Sequence, residues 1–137
     1  MVDELRRLTD APAWVSFTCA DESHTASGDD IAVAAMAVAS RVIAVGLNCT
    51  APRLVEPLLR SLRSADLDLP FVVYPNHGRA WDAVHECWLG DGDGDLAARV
   101  PGWWRQGARL IGGCCGIGPD GVRALVAARE ALAVAPQ

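Results

Sequence analysis

The chain has 137 residues, of which 51% are hydrophobic and 21% charged, and this is typical of about one globular domain rather than a disordered chain. The formal net charge is −5 and the basic residues are scattered, which excludes a concentrated positive surface of the kind that binds nucleic acid. We therefore expect no nucleic-acid partner. No apolar run is long enough to cross a bilayer, and the first residues are polar, so we expect no membrane association and a cytoplasmic location.

Short apolar runs alternate with helix-like stretches along the whole chain. The predicted strands are residues 13–19, 42–47, 69–76 and 108–113. The predicted helices are residues 2–8, 30–41, 52–64, 96–107 and 118–132. Ser27 or Asp29 is available to cap the second helix and Thr50 the third, whereas Pro57 predicts a kink or an irregular first turn. Residues 77–95 are predicted to form a long loop.

The alternation of buried strands with crossover helices predicts an α/β fold with a parallel sheet of about four strands. Connections between parallel strands are right-handed in nearly all proteins, which places the carboxyl ends of the strands at one rim. In such sheets the chemistry is found at this rim. Residues that directly follow the predicted strands are therefore the candidates for function.

The cysteines provide the clearest candidates. There are five of them, and an odd number without a secretory signal argues against a disulfide framework. Cys49 follows the second strand, and Cys114 and Cys115 follow the fourth, so all three are expected at the same rim. Three thiolates make a Zn²⁺ site with one open place, and the glycines around the vicinal pair allow the required turn. Two alternatives remain open at this point, namely small buried residues and a strained vicinal disulfide.

Other polar residues near the strand ends allow more than one interpretation. Asn48 and Asn76 are weak candidates that either orient a substrate or cap helices. Cys19 ends the first strand and could add a fourth thiolate, although packing is the favoured interpretation. Cys87 is expected to be structural. The histidines, for which solvated or hydrogen-bonded roles are expected, are His24, His77 and His85.

Three segments carry a resemblance to a known family. They read "VGLNCTAPRLVEPLL", "FVVYPNHGRAWDA" and "GARLIGGCCGIGPDGVRAL", and "WVSFTCADESHTASGDD" precedes them. Together they resemble the homocysteine S-methyltransferase family over nearly the whole chain. The resemblance implies a (β/α)₈ barrel in which Cys49, Cys114 and Cys115 hold Zn²⁺ and the thiol of homocysteine takes the fourth place. It also implies a methyl donor of the sulfonium or ammonium type and methionine as the product.

The length of the chain departs from that resemblance. The family domain is longer, and residues 1–137 correspond to its C-terminal half, a single partial domain without the first four β/α units. An Asp-Gly-Gly motif and a glutamate that help bind homocysteine in the family have no counterpart here. His77 and Arg79 also replace the Ser and Glu of many relatives. The alternative expectation is therefore a truncated half-barrel without activity of its own, which binds zinc or acts only with a partner. In either case we expect self-association or a complementing half-barrel chain, because half a barrel exposes two sheet edges.

Overall fold

The computed structural model of the chain describes residues 2–134. In chain order the elements are α1 (Val2–Leu8), β1 (Trp14–Phe17), α2 (Ile31–Met36), β2 (Ala44–Asn48), α3 (Pro52–Ser64), β3 (Phe71–Tyr74), β4 (Ala80–Asp82), β5 (Cys87–Leu89), α4 (Val100–Arg105), β6 (Ala108–Ile111) and α5 (Pro119–Val134), with 3₁₀ helices at Ala39–Arg41 and Ala97–Arg99. Four strands form one parallel sheet in the order β1-β2-β3-β6. The predicted α/β class and its parallel sheet are therefore confirmed.

The core lies between one face of this sheet and the helices. On α3 the fully buried side chains are Val55, Leu58, Leu59 and Leu62. Their i, i+3, i+4, i+7 spacing places them on one stripe of the helix, which faces the sheet and the neighbouring helices α2 and α4. Trp103 of α4 is 1% exposed and completes this core.

Two predicted helices are shorter than expected. The helix predicted at 30–41 ends at Met36 and is followed by the 3₁₀ helix Ala39–Arg41. Its cap is Asp30 rather than Ser27 or Asp29, because the Asp30 carboxylate accepts hydrogen bonds from the first free backbone N–H groups. The helix predicted at 96–107 likewise begins as a 3₁₀ helix, and its α-helical part starts at Val100 with Pro101 in the first turn, where a missing N–H costs no hydrogen bond.

The third helix corrects one further prediction and leaves the predicted irregularity at Pro57 a prediction. Thr50 does not cap α3, whose N-cap is Ala51 without a side-chain hydrogen bond. The Thr50 hydroxyl instead accepts from the backbone N–H of Cys19 at 3.0 Å and donates to the carbonyl of Asn48 at 3.0 Å. The helix continues through Pro57 to Ser64. No helix among residues 2–134 has the length and apolar character needed to cross a membrane.

The predicted loop at 77–95 contains a β-hairpin. Strands β4 and β5 pair antiparallel, with Trp81 opposite Trp88 and Asp82 opposite Cys87. Each strand has only three residues, so neither shows the alternation that would identify it in the sequence. This hairpin follows β3 directly and therefore lies at the rim where the carboxyl ends of the strands meet.

Candidate metal and substrate site

Three thiols converge at the carboxyl end of the sheet. Cys49 directly follows β2, and Cys114 and Cys115 follow β6 after two glycines. The Sγ atom of Cys115 lies 3.4 Å from that of Cys49 and 3.9 Å from that of Cys114. All three sulfurs lie within 4.8 Å of one another. The parallel order of the strands thus brings together residues that are far apart in the sequence.

The spacing of the sulfurs fits a tetrahedral metal ion. Two sulfurs that bind the same Zn²⁺ at about 2.3 Å are separated by about 3.8 Å in a tetrahedral site. The observed separations of 3.4 and 3.9 Å bracket that value. Soft thiolate ligands favour zinc over the hard cations magnesium and calcium. The donor set therefore suits Zn²⁺ and leaves one coordination place for another ligand.

The end of β3 holds both thiol loops, although it supplies no thiol. On one side, the N–H of Cys49 donates to the Tyr74 carbonyl at 3.0 Å, and the Asn76 amide donates to the Cys49 carbonyl at 3.0 Å. On the other side, the N–H of Cys114 donates to the Pro75 carbonyl at 2.8 Å. These bonds fix Cys49 in a left-handed backbone conformation, with φ of 46°, which a non-glycine residue adopts only where its surroundings enforce it.

The loop after β6 is closed by a contact with His77. The N–H of His77 donates to the Cys115 carbonyl at 3.1 Å. Gly116 adopts φ of 78°, and a Cβ atom at this position would overlap the His77 ring. Glycine is therefore required at residue 116 both for the backbone turn and for the close approach of the imidazole.

The clustering of the thiols changes the pKa values of Cys49 and Cys114. Burial raises the pKa of Cys49 to about 12, and the neighbouring Cys114 and Cys115 thiols add to that shift. Burial also acts to raise the pKa of Cys114. The Cys49 thiol and the Cys115 backbone N–H donate hydrogen bonds that stabilise the Cys114 thiolate, and the pKa of Cys114 is lowered overall. In the metal-free protein Cys114 is thus the first of this pair to become a thiolate. Binding of a metal ion by all three sulfurs must also release the proton of Cys49.

Cys49 and Cys115 open onto a cleft of about 720 Å³, a volume within the usual range for small-molecule sites. Gly116 and Asn76 line the cleft beside them. The aromatic wall of the cleft is formed by the hairpin and the residues before it, and its members are Arg79, Trp81 and Trp88. Sequence reasoning did not single out the two tryptophans. Their spacing in "AWDAVHECW" was the available signal, and it could be interpreted only once the hairpin was known.

The asparagines predicted as weak candidates differ in position. Asn76 lines the cleft and, besides holding the Cys49 carbonyl, accepts from the N–H of Gly78 at 2.8 Å. Asn48 lies outside the lining of the cleft and donates to the Thr18 hydroxyl at 3.0 Å. Within residues 2–134, neither asparagine is the N-cap or C-cap residue of any helix whose caps are defined. Asn76 is therefore the better placed of the two to contact a substrate.

The remaining cysteines lie apart from the cluster. Cys19 is 7% exposed, and its Sγ approaches the Phe17 carbonyl at 3.8 Å rather than the other sulfurs. Burial raises its pKa to about 11, which fits the packing role favoured from the sequence. Cys87 was expected to be structural, but it is exposed on β5, because the segment forms a surface hairpin instead of packing into the core.

The histidines make the local contacts expected of hydrogen-bonded residues. His24 pairs with Asp21, their nearest atoms 3.0 Å apart, and His85 pairs with Asp82 at 2.7 Å. His77 differs, because its ring lies edge-on to Trp88 with centroids 4.4 Å apart. It therefore links the thiol loop to the aromatic wall of the cleft.

A parallel α/β sheet whose strand ends carry three converging thiols defines an α/β protein with a candidate thiolate metal centre. The chain belongs to the homocysteine S-methyltransferase family, which it matches over residues 1–129. The family predicted from the three sequence segments is thereby confirmed.

Similar proteins and structures come from plants, insects and bacteria. Homocysteine S-methyltransferase 4 of Zea mays is 47% identical over 128 residues, which are 88% of this chain and 37% of that protein. Betaine-homocysteine S-methyltransferase of Drosophila melanogaster is 38% identical over 143 residues, covering 96% of this chain and 43% of that protein. The homocysteine methyltransferase MmuM of Escherichia coli, in its apo form, superposes with a TM-score of 0.73 at 35% identity over 93% of this chain and 43% of that one. The chain thus spans less than half the length of these relatives, and its sheet corresponds to part of a (β/α)₈ barrel.

Proposed function

We propose that this chain carries the metal-binding part of a zinc-dependent homocysteine S-methyltransferase, with Cys49, Cys114 and Cys115 as the ligands. The observation that carries the proposal is the convergence of the three sulfurs within 4.8 Å at the rim of the sheet. The similar E. coli methyltransferase has also been solved in a metallated form, with a TM-score of 0.73 and 35% identity. Free thiols are needed for this role, and all five cysteines are unpaired, which suits a reducing compartment such as the cytoplasm.

The chemistry follows from the acidity of thiols. A free thiol has a pKa of about 8.5 and is mostly protonated at neutral pH. Bound Zn²⁺ would stabilise the thiolate form of homocysteine at the open coordination place. The three cysteines would keep that sulfur electron-rich, since their negative charges exceed the charge of the ion. Asn76 and the cleft wall would orient the substrate towards the donor.

The transfer step balances as a displacement at carbon. The homocysteine sulfur forms a bond to the methyl carbon, and the bond between that carbon and the donor's sulfonium sulfur or ammonium nitrogen breaks. The bonding pair stays with the donor, which loses its positive charge, and the thiol proton goes to solvent. The products are methionine and the demethylated donor. Donors of the S-methylmethionine, S-adenosylmethionine or betaine type all satisfy this balance.

A second candidate function rests on the inner face of the sheet. Trp14 is 50% exposed and Leu110 38% exposed, and both line the same surface depression with Val72. The edge strands β1 and β6 form the two ends of the sheet order. We propose on this basis that residues 1–137 are a partial domain without the first four β/α units. It would self-associate or pair with a complementing half-barrel chain, and on its own it would bind zinc without catalysing the transfer.

Metal content tests the site. Purified reduced protein is expected to retain about one Zn²⁺ per chain by elemental analysis, and Cys114→Ser is expected to lose most of it. Cys19→Ser is the matched control, because Cys19 lies outside the cluster, and it should keep the metal. Absence of zinc from reduced wild-type protein, or equal loss in both variants, would contradict the site.

Product formation separates the two candidate functions. The zinc-loaded chain is incubated with homocysteine and S-methylmethionine or betaine, and methionine is measured, while light scattering gives the mass of the particle in solution. Turnover by the chain supports the enzyme, and zinc binding without turnover supports the incomplete half-barrel. A stable monomer would contradict self-association, and failure of a separately expressed N-terminal half from a relative to bind would contradict complementation.

A further inference from the structure

The aromatic wall of the cleft has an unusual composition. Trp81 and Trp88 face each other across the hairpin with ring centroids 5.0 Å apart and planes inclined by 62°. Trp81 is 52% exposed, although it is one of the largest apolar side chains. A cross-strand pair of tryptophans stabilises a hairpin, but that role does not require the pair to line a cleft that also contains two of the thiols.

The aromatic wall is held in place relative to the thiols. The His77 ring lies edge-on to Trp88, with an interplanar angle of 80°, and the backbone N–H of the same residue donates to the Cys115 carbonyl. The loop after β5 is fixed as well, because the Asp93 carboxylate accepts from the N–H and the guanidinium of Arg53 at the start of α3. The indole corner therefore has a defined position beside the cluster.

Arg79 adds a charge to this wall. Its backbone N–H donates to the His77 ring at 3.3 Å, but within residues 2–134 its guanidinium has no hydrogen bond or ion pair with the protein. The guanidinium is a rigid fork that matches a carboxylate. A simple cation on the indole faces would be repelled by Arg79, whereas a zwitterion can place its cationic group on the indoles and its carboxylate on Arg79.

We infer that Trp81 and Trp88 form a corner that receives the positively charged onium group of a small zwitterionic methyl donor, whose carboxylate is bound by Arg79. Indole faces attract sulfonium and quaternary ammonium groups through cation–π interactions. Such a position puts the donor's onium group in the same cleft as Cys49 and Cys115. The inference rests on the proposed function for the identity of the ligand as a donor, and it assigns donor recognition to the hairpin.

Ligand pairs that differ in the onium charge test the inference without catalysis. Binding of betaine to the protein is compared by calorimetry with binding of its carbon isostere 3,3-dimethylbutanoate, in which a neutral tert-butyl group replaces the quaternary ammonium, and with binding of tetramethylammonium, which lacks the carboxylate. S-methylmethionine and methionine form a second pair and distinguish a sulfonium from an ammonium donor. We expect the onium ligand of at least one pair to bind with a Kd about 2- to 30-fold lower than the partner that lacks the onium charge, as a cation–π contact predicts.

Variants then locate the effect. Trp81→Leu and Trp88→Leu should each reduce the preference for the onium ligand. Arg79→Gln should weaken binding of betaine and 3,3-dimethylbutanoate alike, because both lose the partner of their carboxylate, and should strengthen binding of tetramethylammonium, because the repelling charge is removed. Trp104→Leu is the control, because Trp104 lies on α4 against Arg109 and Arg129.

The inference is overturned if each onium ligand and its partner without the onium charge bind equally, or if neither binds. It is also overturned if Trp104→Leu loses the preference for the onium ligand as much as Trp81→Leu and Trp88→Leu do. Zinc content measured on the same samples reports separately on the proposed function. A chain without zinc that still prefers betaine over its isostere would refute the metal site alone. A zinc-loaded chain with no preference would refute the aromatic corner alone.

Discussion

The hydroxyl of Thr50 provides a quantitative test of how the site is supported. Thr50 is 1% exposed, and its Oγ1 accepts from the Cys19 N–H and donates to the Asn48 carbonyl, each at 3.0 Å. Thr50→Val keeps the shape of the side chain but leaves that buried N–H without a partner. An unsatisfied buried donor costs about 1–3 kcal/mol, and the second lost hydrogen bond adds about 0.5–1.5 kcal/mol. We expect a loss of about 1.5–4.5 kcal/mol in the free energy of unfolding.

A matched variant separates hydrogen bonding from packing. Thr50→Ser keeps the hydroxyl and loses one methyl group, which costs about 1 kcal/mol. Urea unfolding of the reduced, metal-free proteins, followed by circular dichroism, should rank wild type above Ser and Ser above Val, with the midpoint of Val lowered by about 1–2 M. A valine variant as stable as the serine variant, or more stable, would refute the hydrogen-bond argument and leave packing as the role of this residue.

Three further predictions address the core, the acidity of a buried thiol and the support of the metal site. Trp103→Ala should lower the free energy of unfolding, measured by denaturant titration, by about 3–5 kcal/mol, because Trp103 is 1% exposed. Equal destabilisation by Trp104→Ala would contradict the assignment of Trp103 to the core. The folded-state pKa of Cys19 is raised from 9.0 to about 11, so the stability that the neutral Cys19 thiol contributes is complete below pH 9 and is lost as pH rises through 11. The difference in free energy of unfolding between wild type and Cys19→Ala should therefore shrink from pH 9 to pH 11. A difference that stays constant over that range would refute the raised pKa. Asn76→Ala removes the donor to the Cys49 carbonyl and should weaken Zn²⁺ affinity at least about 10-fold in a competition titration with a chelator, whereas unchanged affinity would show that the loop needs no such support.

The sheet could be predicted from the sequence because its strands are buried on the core side and separated by helices. Residues 42–47 and 69–76 are short apolar runs, and the structure places β2 and β3 within two residues of those limits. Helix ends were less predictable. Thr50 has the side chain of a helix cap, but its hydroxyl is used by the backbone of the preceding strand ends, a long-range contact that a local pattern does not contain.

The site could be predicted only in part. The carboxyl ends of parallel strands meet at one edge of a sheet, and this rule places Cys49 near Cys114 and Cys115. The positions of the three sulfurs therefore follow from the fold. Their role as metal ligands stays a prediction. The aromatic wall could not be predicted in the same way. Three-residue strands carry too little periodicity to identify, and Trp81 and Trp88 become neighbours only when the hairpin turn between them forms.

The strand order explains why a site of three thiols depends on a strand that contributes none of them. Strand β3 lies between β2 and β6, so the two thiol loops are on opposite sides of its carboxyl end. The backbone of residues 74–77 hydrogen-bonds to both loops, and the same segment leads into the hairpin with the tryptophans. A shift of this segment would move the ligands relative to one another and also move the aromatic wall. Metal affinity and donor preference should therefore respond together to changes at Asn76 or His77, although neither residue is a ligand in the proposed site.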